Sequence, residues 1–323
     1  MSERWIWDRY WQCDRIASCF DGAGATNYDD SVASGWRKFF DGLPTGSRII
    51  DLCTGNGAVA LIAAAAGREQ GKDFSITGVD QAEIDPPSHV SRHRDEMAGI
   101  RFIGRTEVES IPFPDGSFDV AISQYGIEYS DVPRTITEVA RLLGPGGQAR
   151  FVVHAADGIV AANARTIIAE ADLLLGEIDL IAASRRCFEA CATVEGGDFS
   201  DAARQNAKSA FDAFRTALQL TSAQIPKAVD KMMFHNSGGV MLDAFQARRR
   251  VGYDAVFAKV DTVEGEILAH RGRLQALADS ALDEAGVEAL CTKSRHAGAI
   301  ATDHVRLENA DGLIGYIVTA RFA

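Results

Sequence analysis

The stretch that decides the fold is Ile49-Ile50-Asp51-Leu52-Cys53-Thr54-Gly55-Asn56-Gly57-Ala58. A short apolar run enters a glycine turn there, and a helical pattern follows. Glycine at 55 and 57 lets the backbone turn sharply and leaves no side chain between it and a ligand. The next helix presents unpaired N–H groups and a positive end, which suits a carboxylate or a phosphate. The stretch therefore predicts a strand–loop–helix unit with a ligand at its loop.

Short apolar runs alternate with helical stretches through the first half of the chain. The predicted strands are Arg48–Leu52, Ser75–Val79, Ile100–Gly104, Val120–Ser123 and Arg150–His154. The predicted helices between them are Gly57–Gly67, Ser88–Ala98 and Arg134–Leu143. This alternation is typical of a parallel sheet with helices on both faces.

The pattern changes in the second half. Residues 158–286 show helical periodicity and no convincing strand. After them, His304–Glu308 and Gly315–Arg321 alternate like two strands across a turn at 309–312. We therefore expect a strand-rich frame at residues 46–157 and 287–323, interrupted by a helical insertion at 158–286.

Composition excludes several classes of function. The 323 residues carry a net charge of -12 and a pI near 5.1, and such a surface repels nucleic acid. The N-terminus lacks a signal-peptide pattern, and the longest apolar run, Ala58–Ala66, is about half of a membrane span. The six cysteines include no C-x-x-C pair. We expect a soluble, cytoplasmic protein with no metal, no membrane contact and no nucleic-acid partner.

An acid follows the second predicted strand, in Gly78-Val79-Asp80-Gln81. A carboxylate at this place can accept hydrogen bonds from both ribose hydroxyls of an adenosine. Gly55, Gly57 and Ala60 also satisfy the dinucleotide pattern G-x-G-x-x-A. These features fit an NAD-dependent oxidoreductase as well as a methyltransferase, so they indicate a nucleoside and leave its identity open.

Three further features distinguish a methyltransferase from an NAD-dependent oxidoreductase. Asp51 precedes the first glycine by four residues, where the turn can donate to it. Residues 106–120 read TEVESIPFPDGSFDV before the fourth strand, and residues 138–147 read EVARLLGPGG before the fifth. In this order the motifs resemble the class I S-adenosylmethionine-dependent methyltransferases, especially the branch of ubiquinone, menaquinone and small-molecule methyltransferases. The resemblance covers about Arg48–His154 and the terminal hairpin.

The resemblance implies an α/β fold. This is a Rossmann-like, doubly wound sheet of seven strands with an antiparallel C-terminal strand, and here it would carry a large all-α insertion between strands five and six. The resemblance also implies an N-terminal helical lid at residues 1–45. Cys53 stands where the family more often has glycine, so we expect an ordinary φ there and a packing role.

The implied cofactor is S-adenosyl-L-methionine, which leaves as S-adenosyl-L-homocysteine. The resemblance implies that five residues form the loop around the methionine moiety and that one acid binds the ribose. It also implies that three residues contact the adenine and that two lie beside the sulfonium. In chain order these are Asp51, Thr54, Gly55, Asn56, Gly57, Asp80, Gln81, Glu107, Val108, Ser123 and Gln124.

Methyl transfer from a sulfonium is a direct displacement, so alignment of the acceptor is the main requirement. A base helps only when the acceptor must lose a proton. His154, after strand five, is the candidate base, and the alternative is a histidine without a chemical role. The candidate substrate residues, each of which could instead be a packing residue, are Tyr10, Trp11, Tyr28, Tyr125, Glu128 and Tyr129.

A small-molecule acceptor, methylated on oxygen, nitrogen, sulfur or carbon, is the leading hypothesis. The insertion is expected to cap the substrate, to form a homodimer, or both. The alternatives are an NAD-dependent oxidoreductase, a methyltransferase acting on a protein or RNA, and an inactive scaffold.

Overall fold

The computed structural model describes residues 3–18, 27–28 and 30–323. It divides into two compact units, one of Met1–Ala162 with Ala276–Ala323 and one of Asn163–Gln275. The lid predicted at residues 1–45 falls partly on residues 1–2, 19–26 and 29, which lie outside the described residues.

The first unit is built on one seven-stranded sheet of order β3-β2-β1-β4-β5-β7-β6. Strands β1 to β5 run parallel, and β7 is antiparallel to both of its neighbours, β5 and β6. The expected fold class is confirmed. The strands are β1 Arg48–Leu52, β2 Ser75–Val79, β3 Ile100–Ile103, β4 Phe118–Gln124, β5 Leu143–Val153, β6 Ala299–Asn309 and β7 Gly312–Phe322.

The described part of the chain forms twelve α-helices. They are α1 Glu3–Trp11, α2 Asp30–Asp41, α3 Ala58–Glu69, α4 Pro86–His89, α5 Arg94–Met97, α6 Val132–Leu142, α7 Ile159–Leu175, α8 Leu180–Glu195, α9 Asp201–Gln224, α10 Lys231–Val251, α11 Tyr253–Ser280 and α12 Glu284–His296. None of them is long and apolar enough to cross a membrane.

Three predicted elements have wrong boundaries. Strand β6 begins at Ala299 rather than His304, since the exposed residues Ile300 and Ala301 already belong to the strand. The single helix expected at Ser88–Ala98 is replaced by the short helices α4 and α5, because His93 has a left-handed φ of 61° and ends any continuous helix there. Strand β5 begins at Leu143 rather than Arg150, since the Gly-Pro-Gly-Gly segment after α6 is already part of the strand.

Both faces of the sheet are buried. Ile49 packs into the core on one face, whereas Ile50 and Leu52 pack into the core on the other. Side chains alternate along a strand, so burial on both sides requires the unbroken apolar run of β1. Because β1, β2, β4 and β5 run parallel, their carboxyl ends lie at one edge of the sheet, where ligands of such sheets collect.

The second unit is entirely helical and has a core of its own. Phe188, Phe214, Phe234, Met241 and Val260 are all buried in it. The expectation of a large all-α insertion between strands five and six is confirmed. The unit is bounded at 163 and 275, inside the predicted limits of 158 and 286.

Candidate functional site

The loop after β1 has an unusual backbone. Cys53, Gly55 and Gly57 have φ values of 55°, 52° and 82°, all in the left-handed region. The ordinary φ expected at Cys53 is therefore wrong, and this conformation costs a residue with a Cβ about 1–3 kcal/mol. A Cβ added at Gly126 would lie 2.4 Å from the Cβ of Cys53. The Cys53 side chain thus occupies space that only glycine leaves at position 126.

Aromatic rings lie against both glycines of the loop. A Cβ on Gly55 would come within 2.4 Å of the Trp11 ring, and one on Gly57 within 2.7 Å of the Phe102 ring. Since φ is also positive at both positions, each requires glycine for two reasons. A ligand that contacts the backbone at Gly55 therefore meets the indole of Trp11.

Asp51 holds the loop from below. Its carboxylate is buried and accepts a hydrogen bond from Thr54 Oγ1 at 2.7 Å, and it also accepts the backbone N–H of Ala60 in the first turn of α3. Burial raises the pKa of Asp51 to about 7, although these two hydrogen bonds oppose the rise. The residue therefore fixes the shape of the loop from a position inside the protein.

Asp80 joins the glycine loop to the segment after β2. Its Oδ2 accepts the Gly55 N–H at 2.9 Å, and its Oδ1 accepts the Ala82 N–H at 2.8 Å. Burial raises the pKa of Asp80 to about 6. Each carboxylate oxygen keeps a second lone pair, so the group can still accept hydrogen bonds from a ligand.

The segment after α1 is tied to the loop by Asn56. The Asn56 Nδ2 donates to the carbonyl oxygens of Trp11 at 3.0 Å and Arg15 at 2.7 Å. The α1 side chains Trp7 and Trp11 follow at a spacing of four, which puts them on one face of the helix. Asn56 thus holds the aromatic face of α1 over the glycine loop.

A cavity of about 130 Å³ lies between α1 and the carboxyl ends of the strands. It is lined by five aromatic or small residues, Trp7, Trp11, Tyr125, Tyr129 and Gly126, by four carboxylates, Asp80, Glu107, Glu109 and Asp131, and by Cys53, Gln81, Val108 and Ser130. Among the described residues, this lining contains no basic side chain.

Seven of the predicted site residues meet at this cavity. They are Trp11, Asp80, Gln81, Glu107, Val108, Tyr125 and Tyr129. Sequence reasoning missed Trp7, Glu109 and Asp131. For Trp7, the available signal in the sequence was its four-residue spacing from Trp11 on one helix. For Glu109 and Asp131 no local pattern gave a signal, because they are brought together by a hydrogen bond from the Asp131 N–H to Glu109 Oε1, at 2.8 Å.

Four other predicted residues do not line the cavity. Ser123 donates to the Leu52 carbonyl at 2.9 Å, and Gln124 Oε1 accepts the Trp36 indole N–H at 2.6 Å. The Gln124 Nε2 has no hydrogen-bond partner. Tyr28 is buried in the hydrophobic core beside α2 and α3. Tyr10 packs edge-on against Trp11, with ring centroids 4.8 Å apart.

His154 and Glu128 form a buried pair behind the cavity wall. Both side chains are fully buried, and His154 Nδ1 lies 2.8 Å from Glu128 Oε1, which also accepts the His154 backbone N–H at 3.0 Å. The Tyr125 ring stacks on the imidazole at a centroid distance of 4.1 Å. Tyr125 therefore separates His154 from the cavity, and its own φ of 54° is left-handed.

Comparison with known proteins finds similarity to methyltransferases in the part of the chain that contains the glycine loop. Residues 49–147 match the family described as "Methyltransferase domain". The ubiquinone/menaquinone biosynthesis C-methyltransferase UbiE of Geobacter sulfurreducens is 37% identical over 110 residues, which are 32% of this chain and 40% of that protein. The 2-phytyl-1,4-naphtoquinone methyltransferase of Synechococcus elongatus is 28% identical over 149 residues, 43% of this chain and 60% of that protein.

The chain thus spans 40–60% of the length of these two curated relatives. Among solved structures, the YcgJ protein of Bacillus subtilis is 24% identical and has a TM-score of 0.34, covering 46% of this chain and 59% of its own. A likeness of that degree assigns no role to any residue.

Proposed function

We propose that this chain, whose residues 49–147 are a class I S-adenosylmethionine-dependent methyltransferase domain, transfers a methyl group from that cofactor to a small-molecule acceptor. The observation that carries the proposal is the Asp80 carboxylate, which is buried, lines the cavity and holds the glycine loop through the Gly55 N–H. An acid with two free lone pairs at this place suits the two ribose hydroxyls of the cofactor.

The other cofactor contacts are proposed for residues of the loop and the cavity wall. The methionine moiety is proposed to lie along the loop backbone at Gly55 and Gly57, beside the indole of Trp11. Asp51, Thr54 and Asn56 keep that backbone in place. Gln81, Glu107 and Val108 lie along the cavity where the adenine would follow the ribose. Ser123 and Gln124, with its unpartnered Nε2, support the loop from the end of β4.

The cofactor supplies a methyl group on a positively charged sulfur that is already activated for displacement. The chain must align the acceptor with that methyl group and exclude water. The indoles of Trp7 and Trp11 line the cavity, and their faces stabilise positive charge by cation–π interaction. Tyr125 and Tyr129 supply the flat apolar walls against which an acceptor ring would pack.

The charge of the cavity limits the acceptor. Asp80, Glu107, Glu109 and Asp131 surround it, and no basic residue of the described lining balances them. An acceptor with a carboxylate or phosphate would be repelled, whereas a neutral or cationic one would not. We therefore propose a small, partly aromatic acceptor without a negative charge. The quinone names of the two relatives agree with such an acceptor, and the acidic lining disfavours RNA.

An acceptor that must lose a proton requires a base, and we propose His154 for that role. The Glu128 carboxylate lies beside Nδ1 and would stabilise the imidazolium that forms when His154 takes up a proton. Because Tyr125 stacks on the imidazole, the tyrosine side chain must move before an acceptor reaches it. For an acceptor that is already deprotonated, the pair has only a structural role.

The helical unit of Asn163–Gln275 is proposed to select the acceptor as a cap or to form a homodimer. Its large exposed apolar side chains favour a partner surface. They include Phe199, Phe211, Leu220, Met232 and Leu242. Cytoplasmic location is proposed because all five described cysteines are free thiols.

The test is a methyl-transfer assay with radiolabelled S-adenosylmethionine. The chain is incubated with neutral phenols and hydroquinones, amines, thiols and aromatic acids, and label is counted separately in small molecules, protein and RNA. The proposal expects label in neutral or cationic small molecules. Label found mainly in protein or RNA, or transferred best to the aromatic acids, would overturn the proposed acceptor class.

A further inference from the structure

Three side chains of types that can ligate a metal meet where helix α12 packs against strand β6. They are Glu288, Cys291 and His304, and their ligand atoms lie within 4.8 Å of one another. His304 Nδ1 is 3.9 Å from Cys291 Sγ and 3.9 Å from Glu288 Oε2. None of the three lines the cavity of the candidate active site. The methyltransferase chemistry therefore leaves this cluster without a role.

The separations are close to those around a zinc ion. With Zn–S near 2.3 Å and Zn–N and Zn–O near 2.0–2.2 Å, tetrahedral ligands lie about 3.6 Å (sulfur to nitrogen) and about 3.4 Å (nitrogen to oxygen) apart. The two distances from His304 Nδ1, both 3.9 Å, exceed these by a few tenths of an ångström, and all three pairs of ligand atoms lie within 4.8 Å. Small rotations of the three side chains would bring their ligand atoms to bonding distance of one zinc ion.

The surrounding residues orient the cluster. Glu288 and Cys291 are three residues apart on α12 and therefore share one face of the helix. Thr302 and His304 share one face of β6 by the two-residue period of a strand. Arg295 donates to Glu288 Oε1 at 2.6 Å and to Thr302 Oγ1 at 2.6 Å. Oε2 of Glu288 is thereby left facing His304, as in metal sites whose carboxylate ligands are held by an outer shell.

The charge and chemistry of the set also fit a divalent cation. Cysteine sulfur and histidine nitrogen favour zinc over magnesium or calcium. A thiolate and a carboxylate together neutralise a 2+ ion, so a half-buried site would carry no net charge. Glu288 is exposed, with 55% of its side chain accessible, and gives an entry path and an open fourth position for water.

We propose that Glu288, Cys291 and His304 bind one zinc ion, which ties helix α12 to the edge strand β6. The spacing Glu-x2-Cys-x12-His lacks the short cysteine pair by which zinc sites are recognised in a sequence, so the sequence predicted no metal. Binding converts the Cys291 thiol to a zinc thiolate and releases its proton to solvent.

The test is a cobalt(II) titration of the full chain after treatment with a chelator, followed by displacement with zinc(II). A cobalt–thiolate bond gives a charge-transfer band in the near ultraviolet, which reports the sulfur ligand independently of activity. The proposal expects one equivalent of cobalt, a band that zinc abolishes, and a zinc-dependent rise in the unfolding temperature.

Variants assign the ligands. Cys291→Ser should remove the band, and His304→Gln and Glu288→Gln should each weaken zinc binding by at least the roughly 10–100-fold that loss of an outer-shell partner costs. Cys187→Ser, which changes a buried cysteine of the helical unit, should leave the titration unchanged. If Cys291→Ser does not fold, the zinc affinity of Glu288→Gln, a change at an exposed position, decides whether the cluster binds the ion.

Two results would overturn the proposal. One is a wild-type chain that shows no cobalt–thiolate band. The other is zinc affinity that Glu288→Gln and His304→Gln leave within twofold of wild type. In either case the cluster is a hydrogen-bonded thiol and imidazole beside a surface carboxylate.

Discussion

The pKa of Asp80 predicts how cofactor affinity depends on pH. Ribose hydroxyls donate to the ionised carboxylate, and protonation removes acceptor capacity from one oxygen. With the pKa of Asp80 at about 6, roughly nine-tenths of the group is ionised at pH 7 and roughly one-tenth at pH 5. Affinity should thus be about tenfold lower at pH 5, equivalent to about 1.4 kcal/mol.

The assay is a calorimetric titration with 5′-methylthioadenosine between pH 5 and 8. This ligand has the adenine and the ribose but no amino-acid moiety, so no ligand group titrates in that window. Asp80→Asn should bind weakly and lose the pH step, whereas the control Asp311→Asn, an exposed carboxylate in the β6–β7 turn, should keep it. The reasoning would be refuted if the affinity of the wild type did not change between pH 5 and 8, or if Asp80→Asn kept the pH dependence.

Three further outcomes are expected. Gly55→Ala should abolish cofactor binding and lower the unfolding temperature, because φ is 52° and the new Cβ would lie 2.4 Å from the Trp11 ring. The control is Gly71→Ala, also at positive φ but in open space, which should lower stability without affecting cofactor binding. Between pH 5 and 8 the ligand-free chain should lose about 3 kcal/mol of unfolding free energy through Asp51, because its folded pKa of about 7 exceeds 3.8 and stability is lost as pH rises. Urea titrations at each pH measure this slope; Asp51→Asn should remove the Asp51 contribution and leave the smaller one of Asp80, whose pKa is about 6. His154→Gln should lower kcat by about 10²–10⁴-fold for phenol acceptors and leave thiolate acceptors unchanged, and an equal loss for both would assign a structural role.

The sequence predicted the frame of the sheet because the fold depends on local patterns there. The bounds of β1 and β2 agree with their apolar runs, since both strands are buried on both faces and end at a turn. The glycine loop and Asp80 were recognised for the same reason. Their roles follow from backbone shape and chain order, which a single sequence contains.

Features that depend on contacts between distant residues were not predictable. The left-handed φ of Cys53 is possible because Gly126 leaves space for its side chain, and nothing near residue 53 indicates that. The cavity role of Glu109 depends on its contact with the Asp131 backbone. The cluster of Glu288, Cys291 and His304 likewise exists only once α12 has packed on β6.

Thermal unfolding with and without S-adenosylhomocysteine, with NADH as the parallel ligand, tests the central claim most directly. At one hundred times its dissociation constant, a bound ligand adds about 2.7 kcal/mol, which shifts the unfolding temperature of a chain of this size by several degrees, at roughly 2–4 °C per kcal/mol. We expect a shift with S-adenosylhomocysteine alone that is lost in Asp80→Ala. A shift with NADH alone would contradict the account and indicate an oxidoreductase, and no shift with either ligand would indicate a scaffold that no longer binds a nucleoside.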